Sequence, residues 1–341
     1  MSDQTMLPLG KLAPDLLAQL LENAPLSDPR ILLGPGIGLD CAVIDVGTSL
    51  LVFKSDPITF ATDEIGWYCV QICANDIATM GARPRWMLTT LMMPAGITTE
   101  DTVQEITEQT HRACQSLNIS LIGGHTEITH GIDRPILVGT LIGEVSHSEL
   151  VTQKGARAGD AILLTKGVPI EATAIIAREF PHLMKEILTP DELRKAVDFL
   201  YIPGISITRD AEIARRAGRV TAMHDPTEGG LAAALWELSI ASQVSMLIDP
   251  DKILIPPLAR RICDHFGLDA LATIASGALL LTCAAEDAEA ICRALNGEGI
   301  ACAIIGEVTS GAKGVYQKVN GERIPLPRPQ RDEIARFFEE H

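Results

Sequence analysis

Between residues 31 and 82 the chain places six acids, Asp40, Asp45, Asp56, Asp63, Glu64 and Asp76, against a single cation, Lys54. Carboxylates gathered without cations repel one another. A hard divalent ion with oxygen ligands removes that repulsion, and Mg2+ commonly bridges carboxylates to a nucleotide's phosphates. Asp40 directly follows a glycine loop, and Asp56 is expected directly after a strand. Asp76 sits at helical spacing among Cys73, Ile77 and Met80, although Asn and Asp are poor residues for a helix interior. Asp40, Asp56 and Asp76 are therefore read as metal or phosphate ligands. Asp45, Asp63 and Glu64 are read as turn and cap residues on solvated edges.

Three further clusters have chemical potential. The loop Gly34-Pro35-Gly36-Ile37-Gly38 is neither the dinucleotide pattern nor a P-loop, since Leu39 and Cys41 break the first and no Gly-Lys-Ser/Thr follows. Gly36 and Gly38 serve either close backbone approach to a phosphate or a tight turn. Gly123-Gly124-His125-Thr126-Glu127 is expected at the end of a strand, where a polar cluster can form a site. A lone histidine such as His125 is more often structural than a ligand. Asp225-Pro226-Thr227-Glu228-Gly229-Gly230 reads as a helix start. Capping alone explains Asp225 there, and a helix N-terminus also attracts phosphate.

The elements that would position these groups alternate between helix and strand. Helices are expected at 11–23, 62–80 (capped by Thr62, with Val70, Cys73, Ala74 and Ile77 on one apolar face), from 98 or 99, from about 170, at 205–217, from Asp225 to about 241, and at 286–296. Strands are expected at 41–46, 50–53, 86–92, 119–122, 136–145, 161–165, 278–283 and 301–305. The proline-rich stretch 324–330 leads to a short charged helix. Irregular strand spacing points to a mixed-sheet α+β (mixed α/β) fold. The polar stretch 146–160 is the expected boundary between domains 1–150 and 151–341.

The 341 residues suit two domains, and the 47% hydrophobic content can supply both cores. A net charge of −16 with no basic stripe argues against nucleic acid and suits solubility. No apolar run reaches membrane-spanning length, and Met1 to Gly10 lacks a signal-peptide pattern, so a cytoplasmic protein is expected. The eight cysteines (41, 69, 73, 114, 263, 283, 292 and 302) form no Cys-x-x-Cys pair and read as buried reduced thiols.

Six segments spread over residues 31–310 resemble one superfamily, which contains AIR synthase, thiamine-monophosphate kinase, selenophosphate synthetase and the hydrogenase maturation HypE family. They are GlyIleGlyLeuAspCysAlaVal (36–43), PheLysSerAsp (53–56), AlaAsnAspIleAlaThrMetGlyAlaArgPro (74–84), GlyGlyHisThrGlu (123–127), GlyAlaArgAlaGlyAsp (155–160) and HisAspProThrGluGlyGlyLeu (224–231). AspProThr-x-GlyGly is most similar to the HypE branch. The resemblance implies an AIR synthase-like two-domain fold. Its N-terminal domain would bind ATP and pair with a second subunit in a shared β-barrel, and a C-terminal α/β domain would lie over it. It implies ATP between the domains, with Mg2+ on Asp40, Asp56 and Asp76. Gly36, Gly38, Ser55, Asn75, Gly123 and Gly124 would stand beside the nucleotide. Asp225, Thr227 and His125 would face the phosphates or the acceptor. The implied chemistry is phosphoryl transfer that activates an oxygen.

Three departures from the HypE pattern stand out. No cysteine follows Cys302, the segment AsnGluGlyLys reads Ala275-Ser276-Gly277-Ala278, and His125 replaces an aspartate. The first two argue against self-cyanylation of a C-terminal cysteine, and the third admits a softer metal. A homodimer, a small-molecule or protein acceptor and a maturation partner protein are the expected partners. Two alternatives stay open: a small-molecule kinase like thiamine-monophosphate kinase, and a non-catalytic nucleotide-binding maturation factor.

Overall fold

The computed structural model describes residue 7 and residues 9–341. The expected absence of a leader at Met1 to Gly10 lies largely outside them. The first half runs α1 (Pro14–Leu21), β1 (Ile31–Leu33), β2 (Ala42–Asp45), β3 (Leu50–Ile58), α2 (Ile65–Thr79), β4 (Arg83–Pro94), α3 (Glu100–Ser116), β5 (Ser120–Thr129) and β6 (Ile136–Val145). Its sheet has the order β1-β2-β3-β6-β4-β5, antiparallel except where β4 meets β5. The second half runs β7 (Ala161–Thr165), α4 (Ile170–Glu179), α5 (Pro181–Met184), α6 (Pro190–Asp198), α7 (Thr208–Ala217), β8 (Val220–His224), α8 (Gly230–Ser242), β9 (Ser245–Ile248), α9 (Pro257–Phe266), β10 (Leu280–Cys283), α10 (Ala288–Gly297), β11 (Cys302–Thr309), β12 (Gly314–Val319), β13 (Glu322–Pro325) and α11 (Glu333–Glu340). Its sheet has the order β13-β12-β9-β11-β7-β10-β8. This is the mixed α+β architecture expected from the irregular strand spacing.

The centre of the first half is α2 lying on β6. A Cβ at Gly139 would stand 2.7 Å from the Cys69 Sγ and 2.8 Å from the Cys73 Sγ. One at Gly143 would stand 2.2 Å from Ile77 Cγ2. Glycine at both positions lets the helix approach the strand closely. The second half covers the other side of α2, so the helix is buried nearly all round rather than along one stripe. One apolar core runs from α2 through Ile170, Ile175 and Ile205 of the second half.

Several elements differ from the sequence expectation. The strand expected at 50–53 continues to Ile58, pairing residue by residue with β6 from Leu50↔Val145 to Ile58↔Leu137. Asp56 therefore lies within a strand, not after one. The strand expected to end at Gly123 runs on to Thr129, beside β4. Thr62 does not cap α2. Its backbone N–H and hydroxyl both donate to the Glu179 carboxylate of α4, because the approach of the second half supplies a stronger acceptor than a local cap. Asp225 does not cap α8 either, since Gly229, with φ +82°, occupies the residue before that helix. Among the described residues no helix is long and apolar enough to cross a membrane.

Candidate functional site

Strand alternation decides which side chains of β3 meet α2. Lys54 and Asp56 lie on the face toward the helix, and Ser55 lies on the other face. The Lys54 Nζ is 3.0 Å from both Asp56 Oδ2 and Asp76 Oδ2. The Ser55 hydroxyl is instead 3.0 Å from that of Thr140 on β6. Asn75 is fully occupied. Its Nδ2 donates to the Ile205 carbonyl at 2.8 Å, and its Oδ1 accepts from the Ile207 N–H at 2.9 Å. Ser55 thus lies on the face of β3 away from α2, and Asn75 links α2 to the backbone of the second half.

Asp40 and Asp225 converge on the same region from opposite halves. Asp40 Oδ2 accepts from Gln153 Nε2 at 3.0 Å and lies 3.6 Å from His224 Nδ1. Asp225 is wholly buried, and neither of its carboxylate oxygens has a hydrogen-bond partner. One ligand atom each from Asp40, His224 and Asp225 falls within 4.8 Å of the others. Glu237 of α8 accepts from His224 Nε2 at 2.9 Å and so fixes the ring. The loop carrying Asp40 is pressed onto α8. A Cβ at Gly38, whose φ is +71°, would lie 2.8 Å from the Glu237 carbonyl oxygen. Gly38 therefore serves close approach to protein backbone, and Gly36 packs against the Leu39 side chain.

The electrostatics follow from burial and sign. Burial, above all, pushes the Asp76 carboxyl up to about 7, with Lys54 opposing. Burial and then the neighbouring Asp76 and Asp40 raise Asp225 well above the usual carboxylate range. Burial disfavours charge on His224, but Asp40 and Glu237 outweigh it and lift the imidazole to about 9. Against its own burial, Glu237 is held down to about 2 by Lys11 and His224. The result is a crowded group of carboxylates, two of them pushed toward neutrality, that would ionise readily beside a divalent cation. The oxygen-rich donor set and the orphaned Asp225 oxygens fit Mg2+.

A cavity of about 520 Å3 opens from this group between the halves. Asp40, Lys54, Asp56, Asp76, Thr227 and Ser276 are among its lining residues. Glu171 also faces it and accepts from the Ser276 N–H at 3.1 Å. Gly123, Gly124 and His125 do not join them. They lie on β5, at the sheet edge, along a separate open cleft with Thr89 and Leu137. Gly124 is required there, because a Cβ would stand 2.0 Å from the Thr89 carbonyl oxygen. The His125 Nε2 is 3.4 Å from the Glu127 carboxylate on the same strand. Within one chain, His125 is therefore an edge-strand residue and is not brought together with Asp225.

Sequence reasoning missed His224, Glu237 and Gln153. His224 stood inside the segment HisAspProThrGluGlyGly, next to the aspartate chosen, and could have been found there. Glu237 and Gln153 reach the site only through tertiary approach, with Gln153 meeting Asp40 across 113 positions.

Comparison with known proteins agrees with this two-part fold. Residues 38–145 match the model of the AIR synthase related protein N-terminal domain, and residues 157–318 match that of its C-terminal domain. A hydrogenase expression/formation protein of Methanocaldococcus jannaschii is 30% identical over 94% of this chain and 96% of its own length. The carbamoyl dehydratase HypE of Cupriavidus necator is 29% identical over 79% of this chain and 75% of its own. The crystal structure of a hydrogenase maturation protein HypE in complex with ATP superposes with a TM-score of 0.71. It covers 94% of this chain and 91% of that one at 23% identity. Matched by the family in both halves, the chain belongs to the AIR synthase related proteins and, within them, is HypE-like.

Proposed function

We propose that this protein is an ATP-dependent, HypE-like enzyme that activates an oxygen of a separate acceptor by phosphoryl transfer. The observation that carries the reading is the buried Asp225 carboxylate, unpartnered and turned toward Asp40 and Asp76. Burial keeps this carboxyl toward its neutral form, and a divalent cation arriving beside it would let it ionise and would give its unpartnered oxygens a ligand role. Asp40, Asp56, Asp76 and Asp225 would hold magnesium. Bound there, magnesium would supply charge neutralisation for phosphate oxygens.

The chain's own groups supply the rest. Lys54 balances Asp56 and Asp76. His224, buttressed by Glu237, sets a fixed positive charge beneath Asp40. Thr227 presents its side chain to the cavity beside Asp225. ATP occupies the cavity between domains 1–150 and 151–341, and the acceptor takes the wall made by Tyr68, Ile72, Ile175 and Ile274. Roughly 500 Å3 is within the range of small-ligand sites. That wall favours one second reading, a small-molecule kinase resembling thiamine-monophosphate kinase. A maturation partner protein is the natural source of the acceptor in the HypE reading.

The test is calorimetric titration of the protein with Mg-ATP, followed by ATP consumption assays with carbamoyl-bearing and small phosphorylated acceptors. Micromolar Mg-ATP binding that disappears without magnesium supports the reading. No binding in either condition overturns it. Binding without turnover on any acceptor favours a non-catalytic nucleotide-binding maturation factor.

A further inference from the structure

Two cysteines outside the acidic centre face each other. Cys292 lies on α10 and Cys302 opens β11, with their Sγ atoms 3.1 Å apart. Cys292 is 7% exposed and Cys302 is partly exposed, so a small oxidant can reach the pair from the surface. The backbone around them is already fixed. Asn296 Oδ1 accepts from the Cys302 N–H at 3.1 Å, and its Nδ2 donates to the Cys302 carbonyl at 3.5 Å. The intervening turn is closed by the Ile300 N–H donating to the Leu295 carbonyl at 3.0 Å. Bond formation therefore needs the sulfurs to close by about 1 Å.

Cys69 and Cys73 make an instructive contrast. They are four apart on α2, where side-chain Cβ atoms are held about 5–6 Å apart, beyond the reach of a relaxed disulfide. Both are also completely buried.

We propose that Cys292 and Cys302 form a reversible intramolecular disulfide, a modification site that staples α10 to β11 when a peroxide is present. The two sulfurs share one hydrogen bond, and with Cys302 as its donor Cys292 is held below the usual thiol range and Cys302 is pushed above it. Cys292 is thus the nucleophile. Its thiolate attacks one peroxide oxygen, the O–O bond breaks, and hydroxide leaves to give a sulfenic acid at Cys292. Cys302 gives its proton to that hydroxide, and its sulfur attacks the Cys292 sulfur. A second hydroxide departs and takes up a proton from solvent. Two thiols and one hydrogen peroxide become one disulfide and two waters, with two electrons passing from sulfur to oxygen. A dithiol reductant reverses the change.

The test uses the full chain treated with hydrogen peroxide, alkylated and mapped by mass spectrometry. The expected product is one cross-linked pair of peptides containing Cys292 and Cys302, with a loss of about 2 Da that a dithiol reductant restores. In Cys302→Ser, Cys292 should be trapped as a sulfenic acid by a dimedone probe, and in Cys292→Ser no probe should label Cys302. The proposal is overturned if both thiols of the folded wild-type protein stay separately alkylatable after oxidant is consumed. It is equally overturned if they are recovered in disulfides to other cysteines. The wild-type map decides the matter even where a serine variant fails to fold.

Discussion

Asp225 offers a test at the level of single atoms. Asp225→Asn keeps the shape and removes the charge, so the fold loses nothing that it now satisfies. Its stability to urea should stay within about 1 kcal/mol of wild type, while Mg-ATP affinity should fall more than about 10-fold. Asp40→Asn and Asp76→Asn should lower Mg-ATP affinity in the same way, at a larger cost in stability, because each also faces a buried cation, His224 or Lys54. Unchanged calorimetric affinity in all three would remove the site assignment. Glu171 makes a different kind of prediction. Burial, opposed by its hydrogen bonds from Ser276, pushes its carboxyl up to about 7 from 4.5. Its folded pKa lies above its unfolded one, so its favourable share of stability is complete below pH 4.5 and is lost as pH rises to about 7. A shift of that size corresponds to about 3 kcal/mol. Asp332, also raised to about 7 by burial, acts in the same sense from 3.8 upward. Urea midpoints of wild type should fall across this window, and Glu171→Gln should remove one share of the fall, leaving those of Asp332 and Asp76. A Glu171→Gln profile parallel to wild type would show that this carboxyl titrates normally. At this scale the sequence was informative wherever residue type clashed with local context. Asp76 in a helix interior announced itself, whereas Glu171, in an ordinary amphipathic pattern, did not.

Among the elements, the errors share one cause. Lys54-Ser55-Asp56 and Gly123-Gly124 look like strand breakers, yet β3 and β5 run through them. β3 continues because Lys54 and Asp56 find partners on one face, and β5 because only glycine fits beside Thr89. Period and turn chemistry locate most strand and helix centres, including α3 with its Thr99 cap at the expected place. They do not report what a neighbouring domain will satisfy. The last helix shows the same limit. Read from sequence, the proline-rich stretch 324–330 leads only to a short charged helix. In the structure α11 is part of the core. Phe337 is completely buried against Phe180 and Phe266, and the Asp332 carboxylate accepts from the Ile274 and Ile334 N–H groups. Phe337→Ala should cost about 3–5 kcal/mol in urea unfolding. A cost below about 1 kcal/mol would mean that α11 is only loosely attached. Deleting 330–341 should now destabilise the fold as a whole, because it also withdraws Asp332 from the loop next to Ser276.

For the molecule as a whole, the first sheet is left incomplete. β5 is its edge strand, nearly every residue of β5 is exposed, and Ile122 and Ile128 are 55% and 60% exposed. Trp86 and Leu88 of the adjacent β4 are also about one-third exposed. Long edge strands with apolar side chains invite pairing with another chain unless something covers them. Among the described residues no strand pairs with the outer edge of β5. We therefore propose a homodimer through this face, which would extend the sheet across two chains toward the shared barrel that the family resemblance implies. The same arrangement would explain Gly123, Gly124 and His125. Stranded far from the acidic centre of their own chain, they would be candidates for the partner's cavity. Light scattering at micromolar concentration should give twice the 36.6 kDa chain mass. Ile122→Glu combined with Ile128→Lys should yield a folded monomer. If His125 completes the neighbour's site, that monomer should bind Mg-ATP through its own carboxylates but turn over more slowly, and His125→Ala should slow the dimer without dissociating it. A monomeric wild type would dismiss the interface. A dimer that survives the double substitution would move the interface to another face.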